Sequence, residues 1–272
     1  MSDASAVVIA GDDESFELDI QGHLIEVRSR RSPDKSTPNE DAALVAPVGE
    51  RGLVLAVADG VGGSPAGREA ARIAVSVLAA ELESADTVPE RLRSTILDAI
   101  ESANQVILDA GTRGATTLIV AEIVDRKLRS YHVGDSELFV MGRGGAVKAR
   151  IIPHSPTGFA VEAGLMGEDE AVQHEQRHLL FNVLGSQEMR VEISTPLELA
   201  THDTVLLTSD GLVDNLYADE IVETLRAGPL ALSVNKLVAD AAGRMNTNDF
   251  NKPSKPDDLT VVVCRSSARK SA

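Results

Sequence analysis

Carboxylates recur in one kind of place along this chain: at the end of an apolar run, beside glycine or another turn residue. Asp59 follows the run 53–58 (LVLAVA) and precedes Gly60. Asp135 follows Tyr131-His132-Val133-Gly134, and Asp210 follows Val205-Leu206-Leu207-Thr208-Ser209 and precedes Gly211. Asp257 and Asp258 precede the run 259–263, and Glu40 and Asp41 precede Ala42-Ala43-Leu44-Val45. Acids at strand ends along one sheet edge can converge on a point. Held that close, they raise one another's pKa and repel, and a divalent cation removes the penalty. Oxygen ligands alone suit Mg2+ or Mn2+ rather than zinc. Two such ions about 3.5–4 Å apart can clamp a phosphoryl group and turn a water into a nucleophile, with no Ser, Cys or His nucleophile required. Asp beside Gly is also ordinary turn chemistry, and for any one of these places that is the better account. For all five together it is not.

A second pattern competes. His174-Glu175-Gln176-Arg177-His178 fits the H-E-x-x-H arrangement of zinc proteases, with Glu198 at a plausible distance for a third ligand. It lies in a polar stretch without a marked apolar helix, and it leaves the strand-end acids unexplained. A solvated flap helix is the preferred reading. His132 reads as a core histidine. His154, ahead of Ser155-Pro156, is a candidate for touching substrate or acting as an acid. His23 and His202 read as surface or turn residues, and Cys264 as a buried small hydrophobe. Arg28, Arg30, Arg31 and Lys35 form a basic cluster that is ordinarily a solvated loop, and beside a phosphoryl site would gather phosphoprotein.

The elements that must position these residues follow from periodicity. Residues 53–58 form a buried strand running into a glycine turn. Two helices follow: one opened by Ser64-Pro65 with Ala70, Ile73, Ala74, Val77 and Leu78 on one face, the other between Pro89 and Gly111. Residues 116–124, 128–133, 137–141 and 147–152 read as an antiparallel meander. Residues 154–178 form an inserted flap. Strands return at 191–199 and 204–208, helices at 219–226 and 230–245, and a strand closes at 259–264 after a polar loop. Residues 29–38 read as a loop. The fold class is α+β, with helices packed on an antiparallel sheet system. Residues 1–20, rich in acids, form a segment expected to be partly mobile; 21–266 form a single domain with no dividing linker; and 267–272 are a tail.

The net charge of −16 argues against non-specific nucleic-acid binding. One cysteine allows no internal disulfide and fits a reducing compartment. No signal peptide and no span long enough for a bilayer is visible, so a cytoplasmic protein without a membrane partner is expected.

Taken in order, the pieces Asn39-Glu40-Asp41-Ala42, Ala58-Asp59-Gly60-Val61-Gly62-Gly63, Gly114-Ala115-Thr116-Thr117, Val133-Gly134-Asp135-Ser136, Ser209-Asp210-Gly211-Leu212 with Asp214, and Asp257-Asp258-Leu259-Thr260-Val261-Val262 resemble the metal-dependent protein phosphatases of type 2C, the PPM family, in compact bacterial form. The resemblance covers about residues 23–265. It implies two stacked antiparallel sheets flanked by helix pairs. It implies a serine/threonine phosphatase using two or three Mg2+ or Mn2+ ions. By analogy, Asp59 bridges two metals, the Gly60 carbonyl binds one, and Asp210 and Asp257 complete the other. Glu40 and Asp41 hold metal-bound waters, and Asp135 with Asp210 and Asp214 makes a third site. The catalytic group is then Asp59, Asp210, Asp257 and Glu40. Implied partners are a phosphoprotein substrate and a Ser/Thr kinase whose action is reversed, with a monomeric protein.

Three departures stand out. Where the family often carries a phosphate-gripping arginine, this chain has Ser36, beside Lys35, so Lys35, Arg30 or Arg31 is expected to substitute; the substrate-binding set is Lys35, Ser36 and Arg31. Val61 stands where eukaryotic members have a histidine. Glu137 stands where arginine is usual. A catalytically weak binding module on the same fold is the alternative of a different class, and it would be expected to have lost metal carboxylates that this chain retains.

Overall fold

The computed structural model describes residues 6–61, 65–84, 88–247 and 252–266. Gly62, Gly63, Ser64 and the tail 267–272, which carried expectations above, lie outside the described residues. In chain order the elements are β1 (Val7–Ile9), β2 (Asp13–Ile20), β3 (His23–Arg30), β4 (Ala42–Val48), β5 (Gly52–Ala58), β6 (Gly60–Val61), α1 (Pro65–Ser84), α2 (Leu92–Asp109), β7 (Ala115–Thr116), β8 (Leu118–Val124), β9 (Lys127–Val133), β10 (Glu137–Met141) and β11 (Val147–Arg150). Then come α3 (Pro156–Glu162), α4 (Glu168–Gln173), β12 (Glu192–Ile193), β13 (Leu197–Glu198), β14 (Thr204–Thr208), α5 (Asp210–Val213), α6 (Ala218–Leu225), α7 (Leu230–Met245) and β15 (Leu259–Ser266).

Apolar runs without alternation form strands buried on both faces. On β5, Leu53, Leu55 and Val57 join the layer between the two sheets, while Val54, Ala56 and Ala58 face α1 and α2. On β15, Val262 and Cys264 face inward, while Val261 and Val263 face α6 and α7. The result is a helix–sheet–sheet–helix sandwich. One sheet has the order β1-β4-β5-β8-β9-β12, with β13 also on β9, and the other β11-β10-β14-β15-β3-β2. This is the expected fold class.

The acidic stretch 1–20 departs from expectation. Its described part carries two strands, because Phe16, Leu18 and Ile20 alternate with acids and pack into the layer between the sheets. The basic stretch from 29 is likewise strand as far as Arg30. Cys264 is buried, and burial pushes its thiol up to about 12.

Register decides where the acids end up. Ala42 pairs with Ala58, Leu118 with Val133, Glu137 with Thr208, Thr208 with Val261, and Leu259 with Arg30. Every one of these pairs lies at a strand end that abuts Asp41, Asp59, Asp135, Asp210 or Asp258. The antiparallel ladders therefore deliver all of these acids to one rim of the sandwich.

Candidate metal centre

At this rim, one cleft is lined by Glu40, Asp59, Gly60, Asp135, Asp210 and Asp257, together with Lys35 and Lys255. The Asp59 turn is held from below. Its backbone N–H donates to Thr117 Oγ1 (3.0 Å), and its carbonyl accepts from Thr117 N (2.9 Å) and Thr116 Oγ1 (2.8 Å). Thr117 Oγ1 lies 2.6 Å from Ser136 Oγ, which ties the Asp59 turn to the Asp135 turn. Gly60 is required by close approach. A Cβ there would sit 2.5 Å from the Gly67 backbone in α1 and 2.8 Å from the Glu40 carbonyl oxygen.

Asp41 is buried behind the cleft, where its Oδ2 accepts from Ser209 Oγ (2.8 Å). Asp41 Oδ1 and Asp210 Oδ1 are buried and have no hydrogen-bond partner among the described residues. A carboxylate oxygen in that condition costs about 1–3 kcal/mol or more unless something positive reaches it. Burial, and then the charge of the neighbouring acids, pushes Asp41 and Asp59 well above the usual carboxylate range; the acids facing Asp59 are Asp41, Asp210, Asp257 and Asp135. Asp135 is raised in the same way, by burial and then by Asp210 and Asp214. Orphaned oxygens, oxygen-only donors and mutual repulsion together fit a hard divalent cation.

Two lysines enter the same cleft. Lys35 Nζ lies 2.5 Å from Glu40 Oε2 and 2.6 Å from Asp258 Oδ2. Despite the cost of burial, these partners raise the Lys35 ammonium to about 12, so it is charged at neutral pH. Asp258 also accepts from the backbone N–H groups of Ser32 and Glu40, both at 2.8 Å, and so closes the 31–41 loop. Lys255 Nζ lies 2.5 Å from Asp210, 2.9 Å from Asp214 and 3.1 Å from Asp257. Ser36 and Arg31 are exposed and do not line the cleft, and Arg31 turns to Asp12 (3.9 Å). Arg30 turns to Asp13 (3.7 Å). Of the basic residues expected near phosphate, the structure brings only Lys35 to the acids. The role of Lys255 was not visible in the sequence, because its partners are 40 or more residues away, apart from Asp257 two residues on.

The chain is similar in sequence and fold to known phosphatases. The protein phosphatase 2C family model matches residues 29–248. The chain belongs to the protein phosphatase 2C family. It is 31% identical over 219 residues to protein phosphatase PhpP of Streptococcus pneumoniae, covering 77% of this chain and 84% of that one. It is 29% identical over 216 residues to serine/threonine protein phosphatase PstP of Mycobacterium tuberculosis, covering 77% of this chain but only 40% of PstP. The crystal structure of the PstP catalytic domain in complex with two manganese ions superposes with a TM-score of 0.70 at 25% identity, over 90% of this chain and 99% of that one. The expected family, the sandwich fold and the enzyme class, a serine/threonine protein phosphatase of type 2C, agree with these relatives.

In this phosphatase 2C chain the flap carries α3 and α4. A cavity between flap and sheet is lined by Ile151, Val161, Val172 and Val213, and shares Asp135, Asp210 and Asp214 with the acidic rim. Glu137, which stands where arginine is usual, has a partner: Arg150 grips it at 2.7 and 3.1 Å, stacks over Phe139 and reaches Glu168 of α4 (2.6 Å).

His154 does not line the cleft. It is buried, stacked on His132 with ring centroids 4.3 Å apart. Its Nδ1 accepts from Gly134 N (3.1 Å), and its Nε2 faces Glu192 (3.3 Å). His132 Nε2 meets the Ile152 carbonyl (3.1 Å), and burial lowers His132 to about 4. His132, His154 and Glu192 lie close enough together to hold an ion, but His132 Nε2 and both His154 ring nitrogens are engaged in hydrogen bonds. The zinc-protease pattern is not formed either. α4 ends at Gln173, His174–His178 run through turns, and Glu198 pairs with Lys127 in β13. The i, i+4 helix face that pattern needs is missing, and His178 instead lines the acidic cleft.

Proposed function

We propose that the protein removes phosphate from phosphoserine and phosphothreonine in proteins, using Mg2+ or Mn2+ held at the acidic rim. The observation that carries this reading is the convergence of carboxylates in and behind one cleft of a phosphatase 2C chain, with buried Asp41 and Asp210 oxygens left without hydrogen-bond partners among the described residues. Asp59, the Gly60 carbonyl, Asp210 and Asp257 hold two ions. Glu40 and Asp41 orient water around them, and Asp135 with Asp210 and Asp214 offers a third position. When bound, such ions supply charge neutralisation for the phosphoryl oxygens and an activated water.

The remaining work falls to the chain's own groups. Lys35, kept charged by Glu40 and Asp258, presents an ammonium to the incoming phosphate in place of the missing arginine. An ammonium is a point charge without the bidentate fork of guanidinium, so phosphate is held less directionally. Among the described residues no helix is long and apolar enough to cross a membrane. In this reading the protein is a cytoplasmic monomer that opposes a Ser/Thr kinase.

The test is hydrolysis of p-nitrophenyl phosphate and of phosphoserine and phosphothreonine peptides with and without Mn2+. Turnover should require the metal, and Asp59→Ala and Asp210→Ala should each abolish it. Unchanged rates in both variants would sink the assignment.

A further inference from the structure

Lys255 is placed by a built device. The buried Asn215 side chain grips its backbone on both sides, accepting from Lys255 N (2.9 Å) and donating to the Lys255 carbonyl (2.8 Å). The same amide donates to the Gly211 carbonyl (2.9 Å), so the clamp stands on the helical turn that carries Asp210 and Asp214. From this anchor the side chain reaches three carboxylates at 2.5, 2.9 and 3.1 Å. Arg177 lies 3.8 Å from Asp214. One ammonium cannot neutralise three acids, and Asp210 keeps one oxygen without a partner.

We propose that Lys255 is an internal cation sharing the Asp210–Asp214–Asp257 subsite with a divalent ion, so that ammonium and metal are alternative occupants there. This rests on the metal reading given above. The ammonium already holds one oxygen of each of the three acids, and a divalent ion on the remaining oxygens would lie close to it, where like charges in a partly buried site repel strongly. Metal must therefore displace the ammonium, and its apparent affinity at this subsite is lowered by the ammonium's hold. Lys255 sets how many ions the rim carries at a given metal concentration.

The test needs no turnover. Mn2+ binding to the full chain is measured by calorimetry and electron paramagnetic resonance for the natural protein, Lys255→Met, Lys255→Gln and Lys255→Arg. The neutral variants should bind one class of Mn2+ at least about tenfold more tightly, with Lys255→Arg close to the natural protein. Should a neutral variant fail to fold without metal, the natural protein supplies the answer. Its lysines are reductively methylated with 13C, the Lys255 signal is assigned by its loss in Lys255→Arg, and Mg2+ is titrated in. The signal should move on saturation. Equal or weaker Mn2+ binding in the neutral variants, or a Lys255 signal indifferent to Mg2+, overturns the proposal. A chain that binds metal as foreseen but hydrolyses no phosphopeptide would instead count against the functional reading alone.

Discussion

Lys35 and Lys255 reach the same cleft, yet the carboxylates beneath them are in opposite states. Under Lys35, Asp258 already accepts two backbone N–H groups, so the lysine completes a saturated cluster. Under Lys255, Asp210 has an oxygen without a hydrogen-bond donor among the described residues. Saturated acids are scaffold, and they fix the loop that carries Glu40 and Asp41. Unsaturated acids are open to a cation, as the proposed metal site requires. Two ion pairs of similar length thus do different work, and the difference lies in what else each carboxylate touches.

The largest effect that would sharpen this contrast is on stability. Asp258→Ala removes the acceptor for Ser32, Glu40 and Lys35 at once and leaves Lys35 with Glu40 alone, so a loss of about 3–5 kcal/mol is expected. Urea denaturation of metal-free protein measures it, and a loss below about 1 kcal/mol would place Asp258 among the dispensable acids.

Next in size is Lys35→Met. It should raise KM for phosphopeptides and cost about 1–2 kcal/mol of stability, while leaving Mn2+ affinity nearly unchanged. A Mn2+ affinity gain as large as that foreseen for Lys255→Met would erase the distinction between the two lysines.

The smallest expected effect is in pH. Asp41, Asp59 and Asp135 are raised in the folded state, so their neutral form is favoured there. The stability they contribute is full at acid pH and is lost as pH rises through the raised values. With chelator, the melting temperature should therefore be higher near pH 5 than near pH 8, and Mn2+ should remove the gap. A chelated protein that gains stability over that interval would show the rim acids to be ordinary surface carboxylates.

The contrast also explains what was legible beforehand. An unbroken apolar run followed by Asp and Gly marks a strand end, so Asp59 and Asp210 could be picked out locally. That their ends share a rim depends on ladder register, which no single strand contains. The lysines are harder still. Lys35, Ser36 and Arg31 sit in one polar loop, and what separates them is contact with Asp258, more than 200 residues away. The strand β2 was missed although its signal was present, because the acids of its outward face masked the alternation of Phe16, Leu18 and Ile20. His174 and His178 matched a helical pattern in a segment that is not helical.

Cys264 offers a practical opening. The protein's single thiol is buried, and its raised pKa keeps it from forming the reactive thiolate. Labelling reagents therefore meet a silent background. A cysteine introduced at Leu165, which is 82% exposed in the flap between α3 and α4, would carry the sole reactive sulfur. A spin or fluorescent probe there would report flap movement as metal fills the rim, without first removing a native thiol.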